Sequence, residues 1–163
     1  MSIIDRLVAH AGEYARVYRG STTSSAPRLA LAVVVCMDTR LSPYAMLGLD
    51  EGDAHVIRNA GGVVTADTMR SLAASQHLLG TRSVMVIQHT DCGLSHTTDE
   101  EFEDHLRRYT ISSPDWELGA FVDLDESIRT SLALVRSSPF LPHRDDVRGF
   151  AFNIESGELR EVV

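Results

Sequence analysis

Residues 29–35, LALAVVV, form an unbroken apolar run that passes without transition into CMDTR, and residues 83–88, SVMVIQ, pass in the same way into HTDC at 89–92. A run of this kind, with three adjacent valines, suits a strand covered on both faces, which a parallel sheet flanked by helices provides. Between the two runs, residues 65–79 place Met69, Leu72, Ala73, Gln76 and Leu79 on one helical stripe, with Thr65 or Asp67 as cap and Gly80 as stop. Strand, helix and strand in that order make a right-handed crossover, the unit of an α/β sheet. Both polar turns then lie beyond the carboxyl ends of parallel strands, where such sheets bind ligands.

The rest of the chain fits around this unit. Residues 2–18 are expected as an amphipathic helix carrying Ile4, Leu7, Val8, Ala11, Ala15 and Val17, with Ser2 as cap. Residues 20–28, GSTTSSAPR, read as a linker, which frees that helix to lie on a neighbouring subunit or on its own. Residues 41–49 predict a short helix with Ser42 as cap, Pro43 at its first position and Gly48 as stop. A short strand is expected around His55 to Arg58, followed by the glycine-bearing loop NAGG, Asn59 to Gly62. Further helices are predicted over 97–109 and over 121–136, the latter with Phe121, Leu124, Ile128, Leu132 and Val135 facing the sheet. The chain closes with a strand alternating at Val147, Gly149, Ala151 and Asn153, a turn at Ser156-Gly157 and a short return strand. The expected architecture is α/β: a central, mostly parallel sheet with flanking helices and an antiparallel C-terminal strand, in one domain spanning 1–163 with residues 1–20 as an arm.

Composition narrows the partners. A formal net charge of −8 argues against nucleic acid or an anionic membrane. The N-terminal stretch carries Asp5 and Glu13 within its apolar pattern and is no signal peptide, and no stretch approaches membrane-spanning length, so a cytoplasmic location is expected. Two cysteines, each beside charged or imidazole residues, do not indicate a disulfide framework; a Cys36 to Cys92 bridge would be the oxidised, inactive form of the site described next.

Taken singly, Cys36 at the end of a valine run is a small buried hydrophobe and His89 a strand-end histidine. Taken together, C-x-D-x-R after one buried strand and H-x-x-C after its neighbour deliver Cys36, His89 and Cys92, two sulfurs and one imidazole, to one metal, and zinc suits that donor set. Three protein ligands leave one tetrahedral position, the mark of a catalytic zinc. Asp38 either fills that position and closes the site, or is held by Arg40 in a charge-assisted pair and leaves it open to water, which two thiolates are expected to leave less acidic than the water of an all-histidine zinc site. In NAGG, Gly61 and Gly62 allow close approach of backbone to the metal, and Gly93 offers a main-chain N–H toward substrate; each also suits a plain turn. Of the other histidines, His96 is the candidate proton carrier, against its reading as a solvated loop residue.

With C-x-D-x-R, N-A-G-G and H-x-x-C in this order, the chain resembles the β-class carbonic anhydrases, from about residue 29 to the end, and the small archaeal and mycobacterial subgroup in particular. The resemblance implies that Cys36, His89 and Cys92 bind one Zn2+ per chain, and that Asp38 with Arg40 forms the catalytic dyad which orients a zinc-bound hydroxide attacking carbon dioxide. It implies a homodimer or homotetramer, with the N-terminal helix on the partner subunit and the cleft at the subunit interface. The same motifs also resemble those of carbonyl sulfide hydrolases, a branch of the family. Carbon dioxide and carbonyl sulfide are both linear and neutral, so the choice between them falls to the cleft lining, expected to include Met46, Val63 and Val64.

Overall fold

The computed structural model describes residues 1–21 and 23–163; Thr22, within the expected linker, lies outside them. Five strands form one sheet in the order β2-β1-β3-β4-β5: β1 Leu31–Cys36, β2 Ala54–Asn59, β3 Ser83–His89, β4 Val147–Phe152 and β5 Leu159–Val162. The first four are mutually parallel, and β5 runs antiparallel to β4, as the sequence pattern predicts. The register pairs Val35 with Arg58 on one side and with Ile87 on the other, so the carboxyl ends of β1, β2 and β3 finish level.

Central β1 is buried from Ala32 through Cys36. It starts two residues later than the apolar run because Ala30 adopts φ 50 in a turn closed onto the Pro27 carbonyl. One face of the sheet carries the main core: Ala32, Val34, Val84, Val86 and Val147 pack under Leu72 of α3 (Ala66–Leu79) and Ile128, Leu132 and Val135 of α5 (Leu124–Ser137). On the other face Val33, Val35 and Ile87 are the fully buried members of the hydrophobic cluster, while Val56, Met85, Phe150 and Phe152 are half-covered around Met46 and Leu47 of α2 (Pro43–Leu47). That face is unfinished by the chain's own helices.

Capping sets the helix limits. Thr65 accepts from Thr68 N at the start of α3, and Gly80 ends it at φ 76. Thr98 and Glu101 form a reciprocal capping box that starts α4 at Asp99–Leu106, shorter than the expected 97–109 because the chain turns at Arg107. Asp123 accepts from Glu126 N and starts α5 at Leu124. Phe121, expected on the α5 stripe, therefore lies in the preceding loop, where its N–H donates to the Leu94 carbonyl at 3.2 Å. The first helix, α1 (Ile3–Val17), has a capping box from Ser2 and Asp5, yet buries no residue: Ile4, Leu7, Val8 and Val17 are each about two-thirds exposed at 68, 61, 66 and 64%. No helix among the described residues is long and apolar enough to cross a membrane.

Gly149 marks the closest approach of α5 to the sheet. A Cβ there would meet Ile128 Cγ2 and come within 2.9 Å of Leu132 Cδ1, both fully enclosed side chains. Gly149→Ala is expected to destabilise the fold by about 1–3 kcal/mol through overpacking, read as a lowered urea midpoint with unchanged metal content.

Candidate metal centre

The level carboxyl ends of β1 and β3 set the centre. Cys36 closes β1, His89 closes β3, and Cys92 follows on the turn after β3; the three donor atoms lie within 4.8 Å of one another and all three residues are buried. The two sulfurs are 3.9 Å apart and the thiols are free. His89 is 1% exposed, and its Nδ1 lies 2.9 Å from the Thr90 carbonyl. A carbonyl can only accept, so Nδ1 carries the proton and Nε2 presents a lone pair. Nε2 has no hydrogen-bond partner among the described residues. A fully buried imidazole nitrogen left bare beside two thiols is a ligand set that fits a cation, and the S2N donors fit zinc.

The electrostatics agree. The Cys36 thiol is lowered, first by the Cys92 S–H beside it and then by His89 and the Asp38 N–H, against burial; Cys92 is raised, first by its contact with Cys36 and then by burial. Burial opposes charge on His89, but the Cys36 thiolate, the Thr90 carbonyl and the Asp38 carboxylate together raise it. The Cys36 thiolate and the neighbouring Asp38 carboxylate thus place negative charge where a divalent cation would bind.

Asp38 stands beside the trio and outside it. Its Oδ1 accepts from Arg40 N at 2.9 Å and from Arg40 Nε at 3.0 Å, and its Oδ2 accepts from Arg40 Nη2 at 2.7 Å. Its carboxyl is held far below the usual range, by the Arg40 side chain first and the Arg40 N–H second. Its Oδ2 is 3.8 Å from His89 Nε2. Arg40 thus holds Asp38, the pairing on which the open arrangement depends.

The glycines divide. A Cβ on Gly62 (φ 65) would come within 2.7 Å of the Ile87 carbonyl and 2.8 Å of Cys36 N, so this residue lets the NAGG turn lie directly against the ligand-bearing strand ends. Gly61 faces Leu94, Val63 and Phe121 instead, and Gly93 opens the short 3-10 turn Gly93–Ser95 with nothing within 4 Å of a Cβ. Leu41, Leu94, Phe121 and Met46 pack with the two cysteines and form the apolar wall of the centre. Val64 turns into the main core, away from that wall.

Two contributors carry no obvious mark in the sequence. Arg58, on the edge strand β2, donates Nε and Nη2 to the Cys36 carbonyl at 3.1 and 3.0 Å and Nη2 to the Asp38 carbonyl at 2.7 Å, strapping the C-x-D turn from below. Asp91 accepts from Arg40 Nη1 at 2.8 Å and from His96 Nε2 at 2.9 Å. The only sequence signal for either is an ionic residue next to a motif position. The Arg28–Asp53 ion pair lies before β1 and β2, at the opposite ends of these strands and roughly 20 Å away by six residues of strand rise, so it braces the sheet and takes no part in the centre.

Comparison with known proteins agrees with the site. The family model for carbonic anhydrase matches residues 31–113. Beta-carbonic anhydrase 1 of Mycobacterium tuberculosis is 43% identical over 162 residues, covering 99% of this chain and 99% of that protein. A carbon disulfide hydrolase of an Acidianus species is 31% identical over 156 residues, covering 80% of this chain and 76% of its own. The solved structure of a carbonic anhydrase from Streptococcus mutans superposes with a TM-score of 0.90 at 37% identity, covering 100% of this chain and 99% of that one.

Loss of the Arg58 strap is expected to weaken the centre without unfolding the sheet. Arg58→Met should reduce zinc affinity about 10- to 100-fold, measured by competition with a chromophoric chelator, with an unchanged far-UV spectrum.

Proposed function

This chain belongs to the β-carbonic anhydrase family, and on that premise we propose that it is a zinc-dependent carbonate dehydratase that hydrates carbon dioxide to bicarbonate and a proton. The observation that carries the reading is the bare His89 Nε2 beside two buried sulfurs, with a carboxylate held by arginine at 3.8 Å. Cys36, His89 and Cys92 would hold the zinc, which would supply the Lewis acidity that makes a water nucleophilic. Asp38, ionised through its contacts with Arg40, would accept a hydrogen bond from the attacking water and orient it toward the substrate. Arg40 keeps Asp38 in place, and the bidentate contact fixes the plane of the carboxylate. The wall of Leu94, Phe121 and Met46 admits a small neutral substrate and excludes bulk water, which strengthens the polar contacts inside. Gly61, Gly62 and Gly93 leave the backbone close to the substrate path.

A second reading is hydrolysis of carbonyl sulfide to carbon dioxide and hydrogen sulfide on the same site. The similarity to a carbon disulfide hydrolase supports it, because each of these substrates is a linear molecule attacked at its central carbon. The higher identity and fuller coverage of the mycobacterial β-carbonic anhydrase favour carbon dioxide.

The chain acts as one zinc domain in a cytoplasmic homodimer or homotetramer, without nucleic acid or membrane. Support comes from α1, whose apolar side faces solvent, and from the half-covered sheet face around Val56, Met85 and Phe150. A lone fifteen-residue helix is marginal in water, so α1 packs on a second copy.

Asp38→Ala should keep one zinc per chain and lose about 100-fold or more of kcat/KM for carbon dioxide, measured by stopped-flow pH indicator; full retained activity would refute its role. Paired rates with carbon dioxide, carbonyl sulfide and carbon disulfide on one preparation decide the substrate. Removal of residues 1–20 is expected to shift the assembly to a smaller species in light scattering, and an unchanged mass would place the interface elsewhere.

A further inference from the structure

The contacts of Arg40 do not end at Asp38. On its other side Nη1 donates to Asp91 Oδ2 at 2.8 Å and Nη2 donates to the Asp91 carbonyl at 2.9 Å, while Asp91 Oδ1 accepts from His96 Nε2 at 2.9 Å. Asp91 adopts φ 55, a conformation that a non-glycine residue holds where its surroundings fix it, and its carbonyl and carboxylate converge on one guanidinium. Neither Asp91 nor His96 belongs to the donor trio.

The geometry points to Asp91 and His96 as positioning residues: they anchor Arg40 from the outer side, so that Arg40 in turn keeps the Asp38 carboxylate off the fourth position of the metal. Asp38 is close enough to need such restraint, since its Oδ2 stands 3.8 Å from the ligand nitrogen of His89. Arg40 is half-exposed, and an exposed arginine–carboxylate pair is a weak restraint by itself. A guanidinium fixed by two carboxylates and a main-chain carbonyl is a stronger one, because its planar fork has little freedom left. His96 completes the anchor by occupying the second oxygen of Asp91, which orients that carboxylate toward Arg40. In this role His96 acts through Asp91.

The inference rests on the zinc reading above, and its test separates the two. Asparagine tolerates the left-handed backbone, so Asp91→Asn removes the charge and leaves the turn intact, with thermal melting as the check. In the cobalt-substituted protein, whose visible spectrum reports the fourth ligand, Asp91→Asn is expected to weaken thiocyanate binding about tenfold or more, as Asp38 competes for the metal. His96→Ala should act in the same direction and His96→Gln, which keeps an N–H donor, should restore the affinity. The double variant Asp91→Asn with Asp38→Ala should recover thiocyanate binding while remaining inactive. Unchanged thiocyanate affinity in Asp91→Asn, or a double variant that stays weak, would overturn the proposal. A wild-type cobalt protein that binds thiocyanate while the zinc protein fails to hydrate carbon dioxide would sink the activity reading alone.

Discussion

Two thiols and an imidazole, buried within 4.8 Å of one another, cannot all be satisfied by protons. One proton shared between sulfurs 3.9 Å apart lowers one thiol and raises the other, and the imidazole nitrogen aimed at them has no partner among the described residues. A divalent cation resolves this conflict, and much of the surrounding architecture follows from the need to keep the three donors converged. Parallel strands of matched register bring Cys36 and His89 level, the Thr90 carbonyl sets the imidazole tautomer, and Gly62 lets the turn after β2 lie against the ends of β1 and β3. The helices on the main core face and the clamp at Gly149 stabilise the sheet that makes this register possible.

Around this cluster the charges are arranged in alternation. Negative sulfur donors face a metal position, Asp38 stands next to it, Arg40 lies beyond Asp38, and Asp91 beyond Arg40. Each charge is held by one of opposite sign further from the metal, which lets a carboxylate remain ionised beside electron-rich sulfur. Arg58 works differently: it binds the main-chain carbonyls of Cys36 and Asp38 and fixes the backbone that carries the ligand and the dyad, with no contact to their functional atoms.

The parts legible in the sequence were those governed by local rules. A valine run ending at Cys36, a second run ending at His89, the Thr65 cap and the Gly80 stop each depend on a few adjacent residues, and the structure places them as the pattern implies. The C-x-D-x-R spacing likewise contains the Asp38–Arg40 pair, because two residues apart on one turn are close in any conformation the turn can take. Arg40 and Asp91 are 51 residues apart, and Arg58 and Cys36 are 22 apart, so nothing local announces those contacts. Phe121 shows the limit from the other side: its spacing matched the α5 stripe, yet Asp123 caps the helix after it, and the freed ring joins the wall of the centre. What covers α1 is likewise illegible, since an amphipathic stripe marks a face for covering and says nothing of by what.

The central place of β1 also sets an order in time. Cys36 and Cys92 are 56 residues apart, and they meet only after the crossover through α3 has brought β3 alongside β1 in parallel register. During synthesis the first thiol therefore leaves the ribosome well before its partners, with neither the imidazole nor the second sulfur yet made. Parallel pairing across such separations is slow relative to helix formation, because loop closure must precede the contacts that reward it. Competence to capture the metal is thus acquired late and in one step, when the sheet closes, and a nascent chain that has emerged only as far as β2 presents a solitary thiol and no chelating site.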